Sequence, residues 1–149
     1  DSTDLAIAVG ENTLVDSYVN EAQVCLDKYK KDYKYADEEQ SSYDIVENIN
    51  IQYYTPGQAF HKWHCERSCS ETSKRHLVFM TYLNDVTDKG GTEFYYHNIC
   101  IAPKKGLTLI WPTGWTFTHR GIPSPTQEKY IITGWYSYIN TNEGALNEF

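Results

Sequence analysis

Two residues that can bind a metal ion stand two positions apart in the segment His64-Cys65-Glu66. On extended backbone, side chains at positions i and i+2 point to the same face, so the imidazole of His64 and the carboxylate of Glu66 can converge on one point. A third ligand must come from a distant strand. His119 is the best candidate, because it follows an aromatic segment and precedes Gly121 and Pro123. Two nitrogens and one carboxylate leave several coordination positions open, which suits non-haem iron(II).

A His-x-Glu pattern is a weak signal by itself, since the same pattern occurs in surface pairs that bind nothing. A structural zinc site that combines His64 with His61, Cys65, Cys69 and His76 is a second alternative. The spacing between Cys65 and Cys69 is irregular for a zinc knuckle, and no second closely spaced cysteine pair follows. The iron site, the surface pair and the zinc site can therefore be distinguished only by the order of the surrounding residues.

The chain has 149 residues, of which 40% are hydrophobic and 22% charged, so it is long enough for one domain with its own core. Its thirteen tyrosines and four tryptophans favour pleated sheet and can line a pocket for a small ligand. The formal charge of −7 argues against nucleic acid as a partner, because phosphate binding normally requires a basic face.

No segment has the apolar length of a membrane span, and the first residues do not form a secretory signal. The four cysteines are expected to be free thiols in a reducing compartment. We therefore expect a cytoplasmic protein without membrane contacts, a minimal catalytic core of the bacterial or viral type. Its oligomeric state is left open.

The hydrophobic spacing predicts helix first and sheet afterwards. Apolar residues between Leu14 and Tyr29 recur at steps of three and four, with Asn12 or Thr13 as the cap. We predict one domain over residues 1–149, with a helical part over about 1–42 and an antiparallel double sheet, a sandwich or barrel, over about 43–140. The predicted strands cover residues 49–53, 76–83, 92–96, 99–102, 107–111, 115–119 and 129–139.

The order of motifs along the chain is more specific than any one of them. In sequence these are Tyr54 and Gly57, the His64-x-Glu66 pair, Arg75, Tyr82-Leu83-Asn84, Gly90-Gly91, His119, Lys129 and Trp135. From about residue 49 to 138, this order resembles the prolyl-4-hydroxylase-like branch of the 2-oxoglutarate/Fe(II) dioxygenases.

The resemblance implies a mostly β fold, a double-stranded β-helix or jelly roll with N-terminal helices packed on its major sheet. It implies Fe(II) as cofactor, 2-oxoglutarate and O₂ as co-substrates, and ascorbate as a candidate stimulant. By match, the metal ligands are His64, Glu66 and His119. Lys129 and Tyr82 would bind the distal carboxylate of 2-oxoglutarate, and Tyr54 and Trp135 would line the pocket near it.

The position of Lys129 indicates an anionic ligand independently of the resemblance. It stands on an otherwise apolar strand, beside Tyr130 and Ile131. A lone buried ammonium group is energetically expensive, so an anionic ligand is the expected partner.

Two positions depart from the family's pattern. Glu66 stands where relatives usually have Asp, so an extra methylene must be accommodated. Val78, three positions after Arg75, stands where relatives often have Thr, so one polar contact to the co-substrate is expected to be missing.

Three functions are compatible with these residues. The first is an oxygenase that hydroxylates a peptidyl residue such as proline, with decarboxylation of 2-oxoglutarate to succinate. The second is the same chemistry on a free amino acid or another small molecule. The third is a jelly-roll binding module with a structural metal, which has no need of a buried lysine ten positions after a metal ligand.

Overall fold

Two antiparallel sheets and one α-helix make up the fold in the computed structural model, which describes residues 1–140. The mostly β prediction is confirmed, and the arrangement is consistent with a jelly roll. The strands are β1 (Thr3–Ile7), β2 (Tyr43–Asp44), β3 (Ile49–Tyr54), β4 (Arg75–Tyr82), β5 (Thr92–Phe94), β6 (Ile99–Ile101), β7 (Thr108–Pro112), β8 (His119–Gly121) and β9 (Lys129–Tyr138), and the helix is α1 (Thr13–Asp32). Short 3₁₀ turns cover Lys34–Ala36, Ser70–Thr72 and Trp115–Phe117.

The larger sheet has the strand order β1-β3-β9-β4-β7, and β2 pairs with the far end of β9. The smaller sheet has the order β6-β5-β8. The long strand β9 lies between β3 and β4, so it forms the centre of the larger sheet and contacts both neighbours along most of its length.

Alternate residues of β4 build two separate cores, as the two-residue period of a strand requires. The first core lies between α1 and the larger sheet and contains Val15, Leu26, Ile49, Leu77, Phe79, Ile132 and Tyr136. The second lies between the two sheets and contains Val78, Met80, Tyr82, Phe94 and Trp111.

Helix α1 begins where its cap predicts. The side chain of Asn12 accepts hydrogen bonds from the backbone N–H groups of Leu14 at 2.9 Å and Val15 at 3.3 Å. Lys30 and Lys31 stand in the last turn, the end at which positive charge is favourable. None of the described helices combines the length and the apolar composition that a transmembrane span requires.

The structure corrects the sequence prediction at three points. Residues 3–7 form a strand within the predicted helical part. The hydrophobic pattern of the sequence does not indicate this strand, because β1 is exposed at the edge of the sheet and its residues do not alternate between buried and exposed. One α-helix is present in the described residues where several were expected. The predicted strand over 115–119 is a 3₁₀ turn followed by a strand that begins at His119. The predicted domain includes residues 141–149, which lie outside the described part.

A substitution of Gly134, in the middle of β9, tests how tightly the larger sheet packs around Phe79. A methyl group at this position would stand 2.4 Å from the ring of Phe79, which is fully buried. We therefore expect Gly134→Ala to lower the free energy of unfolding by about 1 to 3 kcal/mol through overpacking, as measured by urea denaturation.

Gly114→Ala is the matched control. Gly114 has a φ of −74°, and its added methyl would meet only the far end of the Arg67 side chain, at 3.5 Å. It should change the stability by less than about 0.5 kcal/mol. Equal losses in both variants would contradict the packing account.

Candidate metal centre

Three side chains that can bind a metal converge between the two sheets. The ligand atoms of His64, Glu66 and His119 all lie within 4.8 Å of one another. The Nε2 atoms of both histidines stand 3.2 Å from the same carboxylate oxygen, Oε1 of Glu66. The sequence prediction that these residues meet in space agrees with this geometry, and their role as ligands is a proposal.

A backbone bridge holds the two histidines side by side. His64 and His119 form an isolated antiparallel pair in which each N–H donates to the other's carbonyl, at 3.0 and 2.9 Å. On its other side His119 is opposite Phe94 of β5. The register of the smaller sheet therefore fixes where both imidazoles stand.

Each histidine is oriented by a carbonyl group two residues before it. The Nδ1 atom of His64 lies 2.8 Å from the carbonyl of Lys62, and that of His119 lies 2.9 Å from the carbonyl of Phe117. A carbonyl only accepts, so Nδ1 carries the hydrogen and the Nε2 of a neutral ring presents its lone pair to the centre of the cluster.

The cluster also favours the ionised carboxylate. Burial by itself would raise the pKa of Glu66, but His119 and His64 outweigh it, because each Nε2 atom donates to the carboxylate when its ring is protonated, and they lower this pKa far below its ordinary value. Burial would likewise lower the pKa of His64, and the contacts with Glu66 and the Lys62 carbonyl raise it instead. Glu66 is therefore an anion at neutral pH, the form that binds a metal.

The main chain at Glu66 is tied to the loop after β7. The N–H groups of Glu66 and Arg67 both donate to the carbonyl of Thr113, at 3.2 and 3.0 Å. The hydroxyl of Thr113, which is buried, donates to the carbonyl of Arg75 at 2.7 Å. This buried threonine thus links the segment that carries Glu66 to the start of β4.

The cluster opens into a cavity of about 240 Å³ between the sheets. The other four residues singled out from the sequence all line this cavity: Tyr54, Tyr82, Lys129 and Trp135. All seven residues singled out from the sequence thus line one cavity. The sequence did not reveal which partners each side chain contacts.

Lys129 is buried and has no carboxylate partner among the described residues. Its Nζ atom donates to the carbonyls of Gly90 at 3.0 Å and Ile122 at 3.3 Å, and it stands 5.0 Å from the centre of the Tyr54 ring. Burial lowers the pKa of Lys129 from 10.5 to about 8. The site thus holds a desolvated cation that an anionic ligand would stabilise.

Tyr82 and Trp135 have partners that the sequence did not indicate. The hydroxyl of Tyr82 shares a 2.6 Å hydrogen bond with Thr92. The indole N–H of Trp135 donates to the second carboxylate oxygen of Glu66, Oε2, at 2.9 Å. Trp135 therefore contacts the proposed metal ligand directly, whereas the sequence placed it near the co-substrate.

Several polar residues of the cavity wall were missed. Asn50 and Gln52 line it from β3, Thr133 from β9 and Thr92 from β5. The alternation along β3 was visible in the sequence, but polar positions of an alternating strand normally face solvent. Here the apolar face is covered by α1, so the polar face points into the protein.

The alternative zinc site is not formed. Within residues 1–140, the cluster of His64, Glu66 and His119 is the only group of three or more such residues close enough to share a metal. His76 instead hydrogen-bonds to the carbonyl of Ala36 at 2.8 Å, and the four cysteines are free thiols.

The lowered pKa of Lys129 predicts that the free energy of unfolding increases as the pH rises from about 8 to 10.5. Since its pKa is about 8 in the folded protein and 10.5 as the ordinary value, the unfolded chain binds more protons between these limits. The unfolding free energy of the wild type minus that of Lys129→Met should rise between these pH values, by roughly 2 to 3 kcal/mol. Urea denaturation at several pH values measures this, and tyrosine titration cancels in the difference. A flat difference would contradict the burial of a charged amine.

Comparison with known structures gives the same architecture. The viral collagen prolyl hydroxylase of Paramecium bursaria Chlorella virus-1, solved with 2-oxoglutarate, is 21% identical with a TM-score of 0.73, and the match covers 93% of this chain and 80% of that one. A Pseudomonas putida prolyl-4-hydroxylase is 17% identical with a TM-score of 0.70 over 93% of this chain and 73% of its own. A Trichoplax adhaerens prolyl hydroxylase, in complex with a hypoxia-inducible-factor peptide, is 16% identical with a TM-score of 0.67, covering 91% and 62%. These likenesses show the fold.

Sequence comparison with curated proteins finds no match. The family model described as the 2OG-Fe(II) oxygenase superfamily does match, over residues 49–137, which is more than half of the 149-residue chain and contains His64, Glu66, His119 and Lys129. The chain therefore belongs to the 2OG-Fe(II) oxygenase superfamily.

Proposed function

We propose that this chain hydroxylates a prolyl residue within an extended peptide. Fe(II) would be held by His64, Glu66 and His119, and the distal carboxylate of 2-oxoglutarate by Lys129. The observation that carries the proposal is that the three-residue cluster and the buried lysine line one small cavity.

The donor set suits iron. Two neutral imidazoles and one carboxylate on one side of a metal leave the remaining positions for a co-substrate and O₂. Iron and 2-oxoglutarate supply the oxidation: O₂ and the oxo acid are consumed, one oxygen atom enters a C–H bond, and succinate and CO₂ leave. The protein's own task is to orient these groups and to exclude water.

The cavity suits a short dianion. A dicarboxylate can reach the cluster with one end while Lys129 neutralises the other end, and Tyr82 lines the wall beside them. A charged ligand would also remove the cost of burying the lysine, which has only carbonyl partners among the described residues. A binding module with a structural metal has no use for this cation.

The surface beside the cluster favours a peptide over a free amino acid. Four aromatic side chains form a continuous row, which we call the aromatic rim: Trp63, Tyr95, Tyr96 and Trp115. Successive ring centres are 5.2, 5.1 and 5.7 Å apart, and three of the four side chains are more than half exposed. A contiguous exposed apolar surface of this kind typically marks a binding site.

The aromatic rim adjoins the metal cluster through the chain itself, since Trp63 precedes His64 and Trp115 begins the turn before His119. Arg120 stacks on Trp63 at 4.3 Å and bonds to Glu93 at 2.8 Å, which fixes this end of the rim. Exposed aromatic rows bind proline-rich segments in the polyproline II conformation, whose backbone makes no internal hydrogen bonds. The three similar structures, all prolyl hydroxylases and one with a bound peptide, support the same choice.

His119→Ala tests the metal site. We expect it to lower Fe(II)-dependent succinate release from 2-oxoglutarate, with ascorbate present, by at least about a hundredfold, because one of three ligands is lost. His97→Ala is the matched control, an exposed histidine outside the cluster, and should retain the wild-type rate. Full turnover by His119→Ala would show that the cluster is wrongly assigned.

Tyr96→Ala tests the aromatic rim as a peptide site. Removing this exposed ring should raise the KM for a proline-rich peptide by roughly five- to tenfold, because one aromatic contact of about 1 to 1.4 kcal/mol is lost. Mass spectrometry of the hydroxylated peptide provides the rate. Tyr35→Ala, an equally exposed tyrosine in the turn after α1, should leave the KM unchanged. Free proline as an equally good substrate, or an unchanged KM in Tyr96→Ala, would contradict the peptide proposal.

A further inference from the structure

We propose that Trp135 is a positioning residue, which holds one carboxylate oxygen of Glu66 and so directs the other oxygen toward the metal. The inference rests on the proposed metal-binding function of the cluster. It concerns the position at which this chain departs from the shorter carboxylate of its relatives.

The two oxygens of Glu66 have separate partners. Oε1 faces both histidine Nε2 atoms at 3.2 Å, at the centre of the cluster. Oε2 is turned away and accepts the indole N–H of Trp135 at 2.9 Å. With Oε2 held by this donor, Oε1 is the oxygen that points to the centre of the cluster.

Trp135 is chemically suited to this role. An indole N–H donates but never accepts, so it cannot compete with Glu66 for a cation. The ring also turns about only two side-chain bonds, so little entropy is lost in holding it. Glu66 has one more rotatable bond than an aspartate would have, and the hydrogen bond restricts that extra freedom.

Trp135 is itself held by a charged network. The guanidinium of Arg75 stacks over the ring at 3.7 Å. Glu47 also binds this guanidinium, whose Nε and Nη2 atoms donate to its two carboxylate oxygens at 2.8 and 2.7 Å. Both hydrogen bonds are charge-assisted and form a planar fork, which fixes the plane that covers the indole.

Arg75 also binds the main chain of Glu66, the proposed metal ligand. Its Nη1 atom donates to the backbone carbonyl of Glu66 at 3.0 Å. Arg75 therefore contacts both the residue that carries the carboxylate and the ring that orients it. Glu47, Arg75 and Trp135 together form one support for the longer side chain of Glu66.

A double-mutant cycle on metal affinity tests this assignment without relying on turnover. Co(II), a redox-stable probe, is titrated into the protein by calorimetry at one pH. Trp135→Phe should weaken Co(II) binding by roughly ten- to a hundredfold, the usual effect of losing a partner that orients a metal ligand. In the Glu66→Asp background the same change should cost less than about threefold, because the shorter carboxylate does not reach the indole.

Tyr130→Phe is the matched control for metal affinity, since this aromatic residue of the same strand stacks on Tyr53 and not on Glu66. Glu47→Gln is a milder second variant at a partly exposed position, useful if Trp135→Phe does not fold. It should weaken Co(II) binding by about three- to tenfold, and again only when Glu66 is present.

Equal losses from Trp135→Phe in the wild-type and Glu66→Asp backgrounds would overturn the inference, because they would show a role in packing alone. Unchanged affinity in both Trp135→Phe and Glu47→Gln would overturn it as well. A wild-type protein that binds neither Co(II) nor Fe(II) would instead contradict the proposed function, so the two failures can be told apart.

Discussion

The backbone pair between His64 and His119 is the contact on which the site depends. Two reciprocal hydrogen bonds join segments that are distant in the sequence, and they bring the imidazole centres to 4.3 Å from each other. Directly opposite residues in an antiparallel pair point to the same side, so both rings face the cavity. Glu66 stands two residues after His64, and its Oε1 atom faces both imidazoles of the pair.

Strand alternation explains how the cavity forms beside two apolar cores. On β9, Lys129, Ile131, Thr133 and Trp135 all line the cavity, while Ile132 and Tyr136 pack into the core beneath α1. The central strand β9 thus carries the buried Lys129 at its start and, six residues later, Trp135, which contacts Glu66. Helix α1 allows this because it covers the outer face, which leaves the inner face free for polar groups.

The sequence predicted the parts of the site that depend on local spacing. His64 and Glu66 share a face because they are two residues apart, and Lys129 is conspicuous as a charge on an apolar strand. Their roles as ligands stay predictions. The contact between Trp135 and Glu66 could not be foreseen, because it depends on how β4, β9 and the loop before β4 meet in space.

The fold was likewise predictable where a periodic pattern was present. Helix α1 and strand β9 follow their hydrophobic periods closely. Strand β1 carries no such pattern, since its stability comes from pairing with β3 and not from burial. The turn at Trp115–Phe117 was mistaken for a strand because its aromatic residues favour sheet, whereas in the structure Trp115 is exposed and Phe117 packs against the core between the sheets.

We propose above that His64, Glu66 and His119 hold iron inside a cavity that also takes 2-oxoglutarate. An anaerobic absorption titration measures this most directly, with Fe(II) added to the protein in the presence of 2-oxoglutarate. We expect a visible charge-transfer band that needs both components and saturates at one iron per chain. Glutarate, which lacks the keto group, should not produce the band but should compete against it. A protein that gives no such band, or a band that glutarate leaves unchanged, would contradict the account.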